Sequence, residues 1–259
     1  MSQITRLASW NVNSLKVRLS QVQYLLQSEN LDILALQETK MTDEVFPQQA
    51  FQELGYNVNF IGQKTYNGVA IISREQQSEL VTSIKDFADP QKRVIAATIG
   101  NLRLINLYIP NGSSVTSDKY NYKLAWLEAV TKYLAEQVNL YPNLAVVGDF
   151  NIAPKDIDVH DIHEWQDDVL VSKPERAALQ TIFQLNLHDS FRELYPEQQE
   201  FSWWDYRAAS FRRNRGLRID LILLSAKLLH NCKSSIIHRE FRKLERPSDH
   251  APIITEFTM

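Results

Sequence analysis

Leu144–Pro154 reads L-A-V-V-G-D-F-N-I-A-P: an apolar run enters Gly148 and delivers Asp149 and Asn151 before stopping at Pro154. If the chain stays extended past Gly148, period-2 alternation turns the carboxylate and the carboxamide to one face. Acids, amides or a phenol also stand at the exits of other apolar runs: Asn11, Glu38, Tyr108 with Asn111, and Asp249 with His250. Asp220 lies inside an apolar run, flanked by Ile219, Leu221 and Ile222, and a carboxylate buried there needs a partner. Taken singly, each has a plainer reading: an Asp/Asn turn at 149–151, a solvated loop start at Glu38, an ordinary strand aromatic at Tyr108, a satisfied core histidine at His250. Taken together they suit phosphate-ester cleavage assisted by a hard cation such as Mg²⁺, which takes oxygen ligands and keeps several waters. Glu38 is the best single ligand, with Asn11 or Asp249 able to complete the shell. Asp149 then activates or orients a water and Asn151 steadies it. His250, kept cationic by Asp220, faces charge developing on the phosphoryl oxygens.

The elements that would position these groups follow from hydrophobic periodicity. Ile4–Trp10 reads as a strand that ends at Asn11, with Asn13 on the same face if the chain is extended. Leu19, Val22 and Leu26 form a helical stripe, and Leu31–Leu36 is a buried strand ending at Gln37-Glu38-Thr39. Strand–helix–strand with polar exits is where open α/β sheets place their sites. Asn57–Ile61, Gly68–Ser73, Val94–Ile99 and Leu102–Ile109 are β-type runs, the last two joined by a hairpin at Gly100-Asn101. Leu127, Val130, Leu134 and Val138 mark a long helix leading back to Leu144. Lys155–Asp168 reads as a polar surface loop, and Ser172 with Glu175 as a capping box opening a helix. Arg218–Leu224 and Ile253–Phe257 are the closing strands, and the proline-flanked Asp249-His250 reads as a rigid, exposed corner. Each half pairs strand–helix–strand with an antiparallel run, which predicts two packed sheets flanked by helices in one domain over residues 1–259.

With 44% hydrophobic side chains the chain can bury a sizeable core, and its lone cysteine, Cys232, excludes an internal disulfide framework. Neither an N-terminal apolar leader nor a run of about 18 apolar residues occurs, so a cytoplasmic protein without a membrane span is expected. Zinc-finger Cys/His spacing, a P-loop and a G-x-S-x-G elbow are all absent. A net charge of −3 argues against bulk attraction to a polyanion, so any nucleic-acid face must be local. Arg207, Arg212, Arg213, Arg215 and Arg218 are interleaved with Trp203, Trp204, Tyr206 and Phe211 against one acid, Asp205. That mixture supplies cations for phosphates and rings for a base, a gap or a sugar.

Five blocks, W-N-V-N-S-L at Trp10–Leu15, L-Q-E-T-K at Leu36–Lys40, G-D-F-N-I-A-P at Gly148–Pro154, N-R-G-L-R-I-D at Asn214–Asp220 and S-D-H-A-P at Ser248–Pro252, resemble the exonuclease III family of apurinic/apyrimidinic endonucleases, in that family's order and across nearly the whole chain. The resemblance implies a four-layered α/β sandwich, Mg²⁺ dependence with Mn²⁺ as an alternative, and double-stranded DNA as partner. Such enzymes act alone, as monomers, cutting 5′ of an abasic site and often processing 3′ ends of duplex DNA. It implies a principal metal site at Glu38 with Asn11, leaves one or two ions open with Asp149, Asn151 and Asp249 as the set for a second, and implies a catalytic group of Tyr108, Asp149, Asp220 and His250. It also implies a pocket for an abasic sugar at Asn111, Trp203 and Trp204. Two positions depart from the bacterial pattern, Asn111 in place of Gln and Trp204 in place of Phe, and a bulkier Trp204 would tighten that pocket. The remaining readings are a phosphodiesterase of the same fold acting on another substrate, and a non-catalytic DNA-binding module.

Overall fold

The computed structural model describes residues 4–259. Twelve strands are present among them, and their order along the chain already shows the two halves. In the first half, β1 (Ile4–Asn11), α1 (Leu15–Ser28) and β2 (Ile33–Gln37) make a parallel crossover. A short α2 (Gln48–Gln52) leads into the antiparallel strands β3 (Asn57–Ile61) and β4 (Val69–Ser73). Next come β5 (Gln77–Val81), β6 (Val94–Ile99) and β7 (Leu102–Tyr108), with Gly100 at φ +55 in the tight β6–β7 turn.

A second parallel crossover runs from β7 through α3 (Asp118–Leu140) to β8 (Leu144–Asp149). The chain then forms α4 (Ile162–Trp165), α5 (Lys173–Phe183), β9 (Leu187–Asp189), α6 (Ser190–Leu194), β10 (Asp220–Ser225), α7 (Ala226–His230), β11 (Cys232–Ile237) and β12 (Ile253–Thr258). One six-stranded sheet has the order β11-β12-β1-β2-β4-β3 and the other β5-β6-β7-β8-β10-β9.

The expected four-layered α/β sandwich is the observed one, two packed mixed sheets flanked by helices. Leu7, Ala35, Ile71, Ile95, Leu104 and Val147 meet between the sheets. A second apolar layer lies between one sheet and α3 and α5, through Trp126, Val130, Leu134, Leu179 and Ile182. A third lies between the other sheet and α1, through Val22, Leu25 and Leu26. Strands covered on both faces have no polar side to show, which is why β2 and β8 read as continuous apolar runs. A polar bridge across the centre sits directly beneath the site. Gln37 Nε2 donates to Asn106 Oδ1 (2.7 Å) and to Ser9 Oγ (3.1 Å), while Asn106 Nδ2 donates to the carbonyls of Leu36 and Ala70 (2.9 and 3.0 Å).

Register brings the polar exits to one edge. Asn11 is opposite Gln37 across β1–β2, Tyr108 opposite Asp149 across β7–β8, and Asp220 opposite Asp149 across β8–β10. Gly148 is required by close packing of two strands. Its φ is +144, and a Cβ there would sit 1.8 Å from the Leu107 carbonyl oxygen, so the residue is needed for the β7–β8 contact. No helix among the described residues is long and apolar enough to cross a membrane.

Three sequence expectations change. The edge strand β5 was not expected; its Q-S-E-L-V face is largely exposed and pairs with β6 through a register shift. Helix α3 begins about two and a half turns before its first clear apolar repeat at Leu127, because Ser117 caps it by accepting from the Tyr120 amide. The segment from Lys155 to Asp168 is only partly a solvated loop, since Asp158 is fully buried.

Candidate active site

Asp149 ends β8 with 1% exposure, and its two oxygens are occupied from three directions. Oδ1 accepts the Asn151 amide N–H (2.9 Å), and Oδ2 accepts Asn151 Nδ2 (3.0 Å) and Asn11 Nδ2 (2.9 Å). Asp149 and Asn151 do meet, although not by strand alternation. The chain leaves the strand at Phe150, and Asn151 turns back at φ +49, the left-handed region that asparagine tolerates. Asn111 Nδ2 donates to Asn151 Oδ1 (3.0 Å), so Asn111 steadies this turn from the end of β7.

Across from Asp149 lies Glu38, at φ +53 just past β2. Glu38 Oε1 accepts from Asn11 Nδ2 (2.9 Å) and from the Tyr108 hydroxyl (2.8 Å), and Oε2 pairs with Lys40 Nζ (2.7 Å). Burial holds the Tyr108 phenol well above its ordinary range, and the carboxylates of Glu38 and Asp149 add to the effect. The hydroxyl is therefore a hydrogen-bond donor at neutral pH.

His250 is 4% exposed, so it is a buried member of the site and not part of an exposed corner; its carbonyl accepts from Trp10 Nε1 (3.0 Å). Its Nδ1 is 2.8 Å from Asp220 Oδ2, the expected pairing, and its Nε2 is 3.8 Å from Asp149 Oδ2. Burial disfavours the imidazolium, but the carboxylates of Asp220 and Asp149 override it and push the His250 pKa up to about 10. Burial pushes Asp149 the other way for an acid, up to about 7, with His250 opposing the shift. Burial also works against ionised Asp249, yet the His250 charge and hydrogen bonds from Trp203 and Asn13 hold its carboxyl below the usual range. Asp220 is also held by Ser202, whose Oγ donates to Oδ2 (2.6 Å) and accepts the amides of Ile219 and Asp220 (both 3.0 Å).

These shifts predict how the cation-free protein responds to pH. The folded-state pKa of His250 lies above its unfolded value of about 6.5, so its stabilisation is complete below that pH and is lost as pH rises towards 10. Raised Asp149 acts in the same direction between about pH 4 and 7. Stability in chelator should fall above pH 6.5 by at most about 1.4 kcal/mol per pH unit for the single proton. Urea midpoints of the parent and His250→Asn across pH 6–10 check this; parallel curves would contradict it.

Three of the expected site residues stand differently from expectation. Asp249 lies outside the group of acid and histidine ligand atoms, which among the described residues is Glu38, Asp149 and His250, within 4.8 Å of one another, and Asn151 serves here as a hydrogen-bond partner of Asp149. Asp249 Oδ1 accepts from Asn13 Nδ2 (2.9 Å) and Oδ2 from Trp203 Nε1 (3.0 Å), while Asn151 Oδ1 is taken by Asn111. Trp204 is a core residue with 0% exposure, its ring edge-on to Phe201 and Phe211, so it cannot tighten a sugar pocket. Trp203 is half-buried and stands at the rim.

The basic cluster is also divided. Arg218 is buried between Asp158 (2.7 Å) and Asp189 (2.7 Å), and Arg215 pairs with Glu164. Arg207 is exposed and chelated by Asp205 (2.7 Å); Arg212 and Arg213 are exposed. Sequence reasoning did not assign Asn13, Lys40, Arg93 or Ser202. Asn13 and Lys40 lie within the quoted blocks, so adjacency was their signal; Arg93, stacked 4.6 Å from the Tyr108 ring, and Ser202 had none. A cleft of about 400 Å³ opens beside Glu38 and Tyr108, lined also by Lys40, Arg93, Asn111 and Lys119.

Such a site, acids and a cationic histidine on the shared edge of a two-sheet α/β sandwich beside a basic cleft, defines a phosphoester hydrolase. Comparison with known proteins agrees. Residues 8–250 match the Endonuclease/Exonuclease/phosphatase family. Exodeoxyribonuclease III of Haemophilus influenzae is 37% identical, over 96% of this chain and 98% of its own. The solved structure of the 3′ phosphatase NExo from Neisseria, bound to a product DNA hairpin, superposes with a TM-score of 0.97 at 43% identity, over 98% of this chain and all of the other. That of an AP endonuclease from Archaeoglobus fulgidus does so with 0.96 at 35%, over the same shares. The chain belongs to the Endonuclease/Exonuclease/phosphatase family, and within it to the exodeoxyribonuclease III-type nucleases of DNA repair.

Proposed function

We propose that the chain hydrolyses phosphodiesters in duplex DNA, incising 5′ of abasic sites and processing 3′ ends, with Mg²⁺ as cofactor and Mn²⁺ as a substitute, and that it acts as a monomer. The observation that carries the reading is the line Asp220–His250–Asp149 meeting Glu38 where the two sheets share an edge. The relatives support both activities: the Neisseria structure is named a 3′ phosphatase and the Archaeoglobus one an AP endonuclease.

The donor set fits a hard divalent ion. Glu38 and Asp149 supply carboxylate oxygens within reach of each other. His250 does not suit ligation, since Nδ1 is committed to Asp220 and the ring is cationic at neutral pH. Glu38 is therefore the principal ligand, with Asp149 beside it. Asn11 turns its amide nitrogen to both carboxylates and would ligate through its oxygen after a flip of the amide. With the oxygens of Asn151 and Asp249 engaged elsewhere, this arrangement supports one ion. When bound, the ion would neutralise phosphate charge and keep the neighbouring carboxylates ionised.

Asp149, fixed by Asn151 and Asn11, orients a water and accepts its proton. The imidazolium of His250, held by Asp220, faces the phosphoryl oxygens and stabilises charge as it develops. Tyr108 positions Glu38 through its hydroxyl. Asn111 lines the cleft and Trp203 stands at the rim beside Asp249, where they would border a pocket for the abasic sugar that excludes a normal base by size.

The deciding experiment is incision of an abasic duplex and trimming of a recessed or phosphorylated 3′ end, side by side, with Mg²⁺ and with chelator. Cleavage of neither substrate, or equal cleavage in chelator, would overturn the proposal. Lys40, Lys119, Arg207, Arg212 and Arg213 provide a local cationic rim despite the net charge of −3. Duplex affinity should therefore fall about 10²–10³-fold between 50 and 200 mM salt, as for about four to six neutralised phosphates. A flat anisotropy titration would contradict the rim.

A further inference from the structure

Lys123, in the second turn of α3, has no solvent exposure at all, and none of the chemistry above uses it. An ammonium has three donors, and each finds an acceptor on a different segment. One goes to the Asn111 carbonyl (3.1 Å), one to the Asn151 carbonyl (2.7 Å), and one to the Glu175 carboxylate. Asn111 and Asn151 are the residues whose side chains hold each other and Asp149.

Glu175 is equally buried and anchors the third segment. It accepts the amides of Leu170 (3.1 Å) and Ser172 (3.2 Å) as well as the Ser172 hydroxyl, which also pairs with Tyr120 (2.6 Å). Asn151 and Leu170 are both at positive φ (+49 and +77); asparagine tolerates that region, whereas leucine keeps it only where surrounding bonds impose it. Burying an ammonium and a carboxylate is itself expensive and is weak evidence for stability, so the pair calls for another explanation.

We propose that Lys123, with Glu175 as its counter-ion, is a positioning residue for catalysis, acting through the Asn111–Asn151 turn on the orientation of the Asp149 carboxylate. Helix α3 is the crossover between β7 and β8, so the same element that joins the two strands clamps the loops that follow them. Without the ammonium, both carbonyls lose their shared donor and the turn is free to leave φ +49. Asp149 then loses two of its three hydrogen bonds. Displacements of about 1 Å at a reacting group cost about 100-fold in rate, and neither Lys123 nor Glu175 lines the cleft where DNA would lie. The inference therefore concerns turnover and leaves substrate binding alone; it rests on the nuclease reading above.

The test uses the full chain with Lys123→Met and with the charge-balanced Lys123→Met/Glu175→Gln, assayed on an abasic duplex and a recessed 3′ end. The expected result for the double variant is a cooperative unfolding transition, with kcat down about 10- to 100-fold. KM, and duplex affinity measured in chelator, should stay within about threefold of the parent. A purely structural role would lower the unfolding temperature and leave kcat per folded molecule unchanged. A folded double variant with kcat within about threefold of the parent overturns the proposal, as does failure of both variants to fold, which would make the pair a folding element. Inactivity of the parent on both substrates would instead sink the proposed function.

Discussion

An Asp149→Asn variant should keep its fold and lose about 10³-fold or more in kcat on duplex DNA. The substitution preserves volume and removes the charge and the proton-accepting oxygen. It also places an amide nitrogen where the Asn151 and Asn11 side chains already point theirs, so one donor faces another. Ionising a carboxylate in this buried place is costly, as its pKa of about 7 records. A neutral side chain removes that cost, so the unfolding temperature should stay level or rise, the usual exchange of activity for stability at a strained site. Thermal melts and single-turnover cleavage with saturating Mg²⁺ test both halves. A kcat within tenfold of the parent would remove Asp149 from the mechanism.

His250→Ala should lower kcat by about 10²–10³-fold, the scale of losing one preorganised donor to developing charge. Here stability should fall too. Asp220 would be left with Ser202 alone, and breaking a buried ion pair by deleting one partner costs about 3–5 kcal/mol. The paired variant His250→Gln/Asp220→Asn separates the effects, because no lone charge remains inside. It should recover most of the stability and little of the rate. Recovery of both would show that His250 serves only to satisfy Asp220.

Much of the architecture was legible because buried central strands leave a strong imprint. β2 and β8 are apolar until their last one or two residues, where the polar groups begin at once. Register then carries Asn11, Glu38, Tyr108, Asp149 and Asp220 to the same edge, as the repeated strand–helix–strand pattern implied. Edge strand β5 was less visible, because an exposed ladder needs no apolar alternation.

The site's chemistry was clearer than its supports. Asp158 and Arg218 are 60 residues apart, so a polar loop and a basic cluster hid one buried pair. Trp203 and Trp204 are neighbours in sequence with opposite fates, one at the rim and one in the core, and composition cannot tell them apart. Likewise, Asp149 and Asn151 are brought together by a tight turn that spacing alone reads as an extended strand.

Gln37 and Asn106, hydrogen-bonded across the middle of the sandwich, have a meaning for safety as well as shape. Glu38 follows Gln37 on one sheet and Asp149 belongs to the other, so neither half of the molecule owns the means of cutting. Any separation of the two sheets would therefore part Glu38 from Asp149. Cutting then depends on the packing between the sheets as much as on either acid, and only the intact molecule carries a blade.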